Sequence, residues 1–470
     1  MKIYFMGIGG TAMGNAAILM KNLGHDCTGS DTGIYPPMSY ALESEKIRYR
    51  IGFDVENLVV EEPDLVVVGN VVSRGNPEME WLLCSRAFPY VSLPDLLGKE
   101  ILENRNSVVI CGTHGKTTTT TISAYLANIN GFDPGYLIGG VPRDLPKGSC
   151  LGDSKAPFFI EGDEYDSAFF DKRSKFILYH PNILVINNIE FDHADIFRDL
   201  EDVLRTFRHL LKILPGTGTV IVNADDENVM SLFPIDWAPV ITVGCSPHCD
   251  VQIASFVENE TESSFELFYD GKLWQSVNWK LHGLFNARNA AMASVATAIA
   301  YYDKDLFSLN LSSLSNFIGV KRRQEVLINC EELVCVEDFG HHPTAIEGTI
   351  HSLKSRFKDS ELIVCFEPRS NTSVKNIFQS EFRRAFLSAD KVLIGTLHRG
   401  SSIKLEHRLD LDFLCAELCA SKVAANFFNS NELLLEHLIA HKSPQRKIVC
   451  FFSNGSFDGI VEKYCKSIQL

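Results

Sequence analysis

The chain lacks any apolar run long enough to cross a bilayer. Its longest, around Ala290 to Tyr302, falls short of the roughly 20 residues a membrane helix takes, and its small residues suit a tightly packed internal helix. A surplus of positive charge is also missing. Against 59 Asp and Glu stand 44 Lys and Arg, a formal net charge of −15. That balance excludes bulk binding to nucleic acid or to an anionic membrane surface. It leaves room for anionic small molecules, which a few cations and helix N-termini can hold locally. No apolar leader with a cleavage pattern precedes the strand-like Lys2–Met6, so a cytoplasmic location is expected. A disulfide framework is lacking too. The 13 cysteines are odd in number and scattered, and Cys111, Cys335, Cys365 and Cys450 lie in apolar runs, so free thiols are expected. Cys245-Ser-Pro-His248-Cys249 has no second Cys/His pair at zinc spacing, and no metal is expected there. There is no internal repeat, low-complexity tract or heptad run.

What the chain does have is Val108-Val-Ile-Cys111-Gly112-Thr113-His114-Gly115-Lys116-Thr117-Thr118-Thr119. Four apolar residues, a glycine loop and a helical start in that order hold a triphosphate. Loop N–H groups wrap the phosphates, Lys116 adds a point charge and the helix N-terminus adds partial positive charge. Thr117 is placed to offer a hydroxyl to Mg²⁺. The loop is shorter than the common phosphate loop, with two residues between its glycines instead of four.

At 470 residues the chain exceeds one core, and three segments emerge. The first, 1–97, opens with a strand and Gly7-Ile-Gly9-Gly10-Thr11-Ala-Met-Gly14. Strand-like stretches at Cys27–Gly29, Leu65–Val68 and Tyr90–Ser92 follow in a dinucleotide-fold rhythm. Gly7, Gly9 and Gly10 let the backbone approach a diphosphate, and Asp31 follows the second strand where a carboxylate meets a ribose hydroxyl. A nicotinamide dinucleotide and a UDP-linked ligand both fit this loop.

The second segment, 98–315, carries the phosphate loop and the strand Phe158–Ile160, which ends at Glu161-Gly-Asp163-Glu-Tyr-Asp166. A strand ending in a carboxylate beside a phosphate loop is suited to hold Mg²⁺. A further strand, Asn182–Asn188, leads to Asp192 and His193, readable as site residues or as a loop hydrogen-bond pair. Asn286 and Asn289 open a long helix; they can cap it, and an amide there can also read adenine. The third segment, 316–470, opens with Gly319-Val-Lys-Arg322-Arg323. Arginines after a glycine suit phosphate contact, although such a run also reads as a solvated face. Polar loops after apparent strands, around Asp338 and His341, Glu367–Thr372 and Ser453–Ser456, are good places for a substrate. Gly148–Pro157 and Pro234–Glu262 hold stretches that no pattern places.

These segments and motifs together resemble the Mur ligase family across essentially the whole chain. The carriers are the shortened Gly112-Thr-His-Gly-Lys-Thr-Thr loop, the Asn286-Ala-Arg-Asn289 helix start and the Asp338/His341 loop. The resemblance implies an α/β fold of three domains. These are a Rossmann-like N-terminal domain binding UDP-muramate, a central P-loop domain of ATPase type and a Rossmann-like C-terminal domain. It implies ATP and Mg²⁺, and an ADP-forming ligase reaction in peptidoglycan assembly on small-molecule substrates, with no obligatory protein partner. Two activities share the layout, adding either L-alanine or the recycled tripeptide L-Ala-γ-D-Glu-meso-diaminopimelate to UDP-N-acetylmuramate. The runs Tyr35–Ser39, Asp163–Lys175 and Phe366–Thr372 resemble the tripeptide branch.

By the same resemblance, Thr117 and Glu161 hold one Mg²⁺ and His193 a second, while Gly112, Thr113, His114, Gly115, Lys116 and Thr118 cradle ATP. Asn289 reads adenine, Arg323 reaches phosphates, and Asp338 meets the ribose or orients the closing domain, with His341 in the same loop. The Gly7–Gly14 loop, with Gly9, Gly10, Thr11, Asp31 and Asn70, takes the UDP-muramate. Arg369, Ser370, Asn371 and Asn454 take the diaminopimelate end, and His114 and Asp166 line the muramoyl pocket. The region of Thr206–Leu210 has no lysine where many members carry a carbamylated one, so none is expected. A dehydrogenase using the Gly7 loop leaves the Lys116 loop unexplained. A non-catalytic UDP-sugar sensor leaves Lys116, Thr117, Glu161 and His193 without a task.

Overall fold

A computed structural model describes residues 1–303, 305–400 and 403–468. Three sheets with helices on their faces follow one another along the chain, an α/β architecture of three domains. The first sheet runs Arg48–Ile51, Asp26–Asp31, Lys2–Met6, Leu65–Val68, Tyr90–Ser92, all parallel. Its order reverses beside Lys2–Met6, so the Gly7 loop opens at the switch point, where such sheets leave a crevice. The edge strand Arg48–Ile51 had no apolar signal because it is largely exposed.

The central sheet has ten strands. At its middle Ser107–Cys111 lies between Ile183–Ile186 and Phe158–Gly162, all parallel, with Cys111 level with both Ile186 and Gly162. Three strands therefore end together, and the loops that carry Lys116, Glu164 and His193 start from one edge. Beyond Thr219–Asn223 and Val240–Gly244 the sheet continues through Val251–Glu258 into antiparallel Ser263–Tyr269 and Lys272–Trp279. The previously unplaced Pro234–Glu262 thus supplies two strands. Behind the phosphate loop, helix Lys116–Ile129 packs on Leu284–Tyr302. Ala287, Ala290, Ala291 and Ala293 permit that close approach, and Thr297 Oγ1 donates across it to Ser123 O at 3.3 Å. Gly283 occupies the N-cap of the second helix, so of the two readings open for Asn286 and Asn289 capping is the one that falls.

The C-terminal sheet runs Glu325–Asn329, Leu333–Asp338, Lys447–Phe452, Glu361–Phe366, Lys391–Ile394, Ala424–Phe427. Only the first pair is antiparallel. Asp338 and Phe366 are both level with Phe452, so here too three polar loops leave one edge side by side. All 13 cysteines are free. No helix among the described residues is long and apolar enough to cross a membrane.

His282, buried ahead of the Leu284–Tyr302 helix, titrates far below its usual value, at about 3. Burial is the main cause, with the Arg356 guanidinium adding to it. The unfolded chain binds this proton below about pH 6.5 and the folded chain refuses it. Stability is thus fullest above that pH and declines as pH falls toward 3. His282→Gln is expected to flatten the decline between about pH 7 and 5, read as urea midpoints. Equal losses in both proteins would contradict the assignment.

Candidate active site

The phosphate loop is shaped by two glycines in conformations closed to other residues, Gly112 at φ +136° and Gly115 at φ +83°. A Cβ on Gly115 would stand 2.4 Å from Asn289 Oδ1 and 3.0 Å from Asn187 Nδ2. Gly115→Ala therefore combines that clash with a left-handed strain of about 1–2 kcal/mol. It is expected to lower the thermal midpoint and raise KM for ATP at least about tenfold, a 1.4 kcal/mol effect. Unchanged ATP affinity would rule out this role for the loop. Amides and hydroxyls hold the loop from below. His114 N–H donates to Asn188 Oδ1 at 2.7 Å, Asn187 Nδ2 to Thr119 Oγ1 at 2.9 Å, and Thr119 Oγ1 to Asn289 Oδ1 at 3.3 Å. Asn289 accordingly sits beneath the loop, its amide engaged with Thr119 and Asn286. Thr118 is buried in the helix's first turn.

Lys116 Nζ donates to Gly112 O at 2.6 Å and stands 3.4 Å from Glu164 and 3.7 Å from Asp163. Burial alone would favour its neutral form, but those carboxylates raise its pKa above the ordinary lysine value. Asp163 is drawn the other way: despite burial, Lys175 and Lys116 hold it at about 2. Lys175 closes the hairpin Asp166–Ala168/Asp171–Ser174 back onto the site, 3.1 Å from Asp163 and 3.0 Å from the Tyr165 hydroxyl.

Glu161 receives the Thr117 hydroxyl at 2.9 Å and the Gly139 N–H at 2.6 Å. Burial raises its carboxyl above the usual range. A hydroxyl beside a carboxylate is the hard-oxygen set that Mg²⁺ takes, and desolvation makes that carboxylate gain from a cation. His193, at φ +52°, lies 3.4 Å from Glu164 Oε1. Burial would push this ring down, but Glu164 outweighs it and raises the pKa.

The C-terminal domain closes the site. Val320 bridges to Pro142 and Lys321 N–H donates to Val141 O at 3.0 Å, which brings Arg323 toward the Mg²⁺ candidate Glu161. The Arg323 guanidinium lies over Phe339, 4.8 Å from the ring centroid, within the electrostatic reach of Glu161 and Asp338. Among the described residues it has no ion-pair partner within 4 Å. Arg322 instead is structural, bound to Glu337 at 2.7 Å and to Ser453 O at 2.8 Å. Asp338 accepts from Gly340 N at 2.6 Å and Gln324 N at 2.9 Å, so it shapes both of the loops that face ATP's expected position. His341 stands 3.9 Å from Asp192 across the domain boundary.

Between these domains lies a cavity of about 790 Å³. Arg369, Ser370, Asn371 and Asn454 line it together with His193 and His341. Asn371 reaches Asp195 Oδ2 at 2.9 Å. Asn454 Oδ1 is buried without a hydrogen-bond partner among the described residues. Sequence reasoning missed Lys375 and His398 in its wall, and Glu164, Glu190 and His342 nearby.

In the first domain Gly7 and Ile8 N–H both donate to Ser30 O, and Asp31 Oδ2 accepts from Gly9 N at 2.9 Å. Gly10 and Thr11 are exposed at the mouth of this loop. Gly14 is placed differently from expectation: a Cβ there would meet Met38 Sδ at 2.2 Å, so it serves helix packing and does not face a diphosphate. Asn70 Nδ2 donates to Asp166 O at 2.9 Å and ties this domain to the acidic motif.

A phosphate loop beside a carboxylate-ended strand, covered by a third α/β domain that brings an arginine, suits an ATP-dependent enzyme that transfers a phosphoryl group, and the relatives make it a ligase. Two family models match, the Mur ligase family catalytic domain over residues 2–105 and the Mur ligase middle domain over 110–297. The chain belongs to the Mur ligase family. It is 35% identical over 466 residues to the UDP-N-acetylmuramate–L-alanyl-γ-D-glutamyl-meso-2,6-diaminoheptandioate ligase of Escherichia coli K12, covering 98% of this chain and 97% of that one. It is 30% identical over 430 residues to the UDP-N-acetylmuramate–L-alanine ligase of Endomicrobium trichonymphae, covering 92% of each. The crystal structure of a murein peptide ligase from Psychrobacter arcticus 273-4 superposes with a TM-score of 0.73 at 33% identity, covering 100% of this chain and 98% of that one.

Proposed function

We propose that this enzyme joins L-Ala-γ-D-Glu-meso-diaminopimelate to UDP-N-acetylmuramate with ATP, in the cytoplasm, as a step of peptidoglycan recycling. The observation that carries this reading is the large cavity beside His193 and its charge. Arg369, Lys375 and His398 line it, as do Asp192 and Asp195. The tripeptide brings three carboxylates and a distal ammonium, which need cations and an acceptor at separated points. L-Alanine brings one carboxylate and needs no such space. The full-length relatives of the tripeptide branch support the same choice.

In the reaction, the lactyl carboxylate oxygen attacks the γ-phosphorus of ATP, the bond to the β-phosphate oxygen breaks, and ADP leaves an acyl phosphate. The tripeptide's α-amine then attacks the acyl carbon, loses its proton, and expels phosphate. Two anions must meet in the first step, so charge neutralisation dominates. Lys116, Arg323 and the loop N–H groups supply it from fixed positions. Thr117 and Glu161 would hold one Mg²⁺, with His193 serving a second; bound there, the ions would add charge neutralisation. The Gly7–Thr11 loop and Asp31 hold the UDP part, and Asn70 couples that domain to the muramoyl end near His114 and Asp166.

Phosphate release from ATP and UDP-N-acetylmuramate tests the choice of amine. Release with the tripeptide and none with L-alanine is expected. The reverse would make this the L-alanine ligase of de novo synthesis.

A further inference from the structure

We propose that His114, Glu190 and His342 form a binding site for one first-row divalent transition ion, Zn²⁺ being the member that fits. One donor atom from each of the three lies within 4.8 Å of the others. Glu190 Oε2 is the hub, 2.8 Å from His114 Nε2 and 3.2 Å from His342 Nδ1. None of these groups is among those given to Mg²⁺ above.

The tautomer of His342 is fixed by its surroundings. Its Nε2 faces the Phe191 carbonyl at 3.1 Å, and a carbonyl only accepts, so Nε2 carries the hydrogen. In the neutral ring, Nδ1 then presents a lone pair to a carboxylate oxygen. Its other neighbour is the Thr344 N–H at a long 3.4 Å. Burial and the neighbouring His114 hold His342 near a pKa of about 4, which leaves the ring neutral at ordinary pH. A nitrogen lone pair and a carboxylate oxygen 3.2 Å apart, with only the long Thr344 N–H contact on the nitrogen, suit a positive centre between them. A ring N–H anchored to a backbone carbonyl, with the other nitrogen's lone pair turned toward a carboxylate, is the arrangement that metal-bound histidines share.

Two imidazoles and one carboxylate favour Zn²⁺ or a neighbouring transition ion over Mg²⁺, which prefers an octahedron made mostly of oxygen and water. Bonds of about 2.0–2.1 Å in a tetrahedron put ligand atoms roughly 3.3 Å apart. The two pairs through Glu190 are close to that, and the two ring nitrogens, within 4.8 Å of each other, would draw together on binding. The fourth position is left to water or a phosphate oxygen.

The ligands come from different parts of the fold. His114 is in the phosphate loop, Glu190 follows strand Ile183–Ile186, and His342 caps the C-terminal helix Pro343–Arg356. One ion would therefore pin the C-terminal domain onto the phosphate loop and slow any turnover that requires reopening. This inference does not depend on which amine the enzyme accepts.

Co²⁺ is the probe, titrated into metal-free full-length protein in excess Mg²⁺ without nucleotide. One equivalent is expected to give the visible d–d absorption of a four- or five-coordinate ion, without thiolate charge transfer, and Zn²⁺ should bleach it. Glu190→Gln and His342→Gln should each weaken binding at least about 100-fold, beyond the loss usual for an outer-shell partner. Thermal melting and circular dichroism check that each variant is folded. Absence of the band, a thiolate signature, or a band that survives in both folded variants would overturn the proposal. If neither variant folds, zinc-edge X-ray absorption on the wild type decides. Two imidazoles with a carboxylate support the site, and sulfur or an all-oxygen shell refutes it.

Discussion

Lys116→Ala is expected to lower ATP-dependent phosphate release by about 10²–10³-fold, the usual cost of losing one preorganised charge-stabilising group, while the protein remains folded. Both parts follow from the same contacts. Lys116 is the cation held at the carbonyl of Gly112, where the loop opens, so its ammonium is fixed before phosphate arrives. Alanine leaves the phosphates only N–H groups and the arginine from the other domain. The carboxylates that Lys116 neutralises each keep a second polar partner. Asp163 retains Lys175 at 3.1 Å and Glu164 retains His193 at 3.4 Å. The deletion therefore strands no buried charge, the circumstance in which removing one partner is most destabilising. Phosphate release and a thermal melt measured on one preparation check the two halves. Near-normal turnover would remove the phosphate-loop reading, and a collapsed melt would show that Lys116 is chiefly structural.

Glu164 shows where sequence reasoning stopped. The chain pattern marked Glu161 because it ends an apolar strand and Lys116 because it follows a glycine loop; both signals are local. Glu164 is three residues past Glu161, inside a run of acidic residues, and nothing local sets it apart from Asp163 or Asp166. Its role comes from lying between Lys116 and His193, which the parallel register of three strands brings together. Glu190 and His342 were silent for a related reason, since one is in the central domain and the other in the C-terminal domain, and only domain contact pairs them.

The fold was legible where strands are buried on both faces. Val108–Ile110, Leu65–Val68 and Leu362–Phe366 are continuous apolar runs, as parallel sheets require. The antiparallel extension from Val251 to Trp279 alternates buried with partly exposed residues, as in Val251–Glu258, so no apolar run marked it. Gly14 misled for the opposite reason: it fits the spacing of a diphosphate loop, yet Met38, distant in sequence, occupies the space above it.

Arg369→Ala is expected to reduce kcat/KM for the tripeptide by about 10²-fold, within the 2–5 kcal/mol typical of truncating one side of a buried charge pair, and to leave KM for ATP near the wild-type value. The Arg369 stem lies against Gly455, where an added Cβ would come within 2.3 Å of its Cδ. Its Nη1 is 3.3 Å from Glu367, which is only 2% exposed and also receives the Ser453 hydroxyl. Packing and charge thus aim the guanidinium into the cavity before any peptide arrives. The fork can meet a carboxylate with two hydrogen bonds, and an ammonium cannot, so Arg369→Lys should recover only part of the loss. The hydroxyl of Ser453 keeps Glu367 partnered in both variants, which limits the structural damage. Steady-state kinetics with the tripeptide and ATP each varied at saturating levels of the other substrates separate the outcomes. A loss confined to the tripeptide terms places a carboxylate of the diaminopimelate end at Arg369. A tripeptide kcat/KM unchanged in a folded Arg369→Ala would move the peptide's end to Lys375 and His398 on the same wall. An equal rise in both KM values would make Arg369 a prop for the domain contact and not a specificity residue.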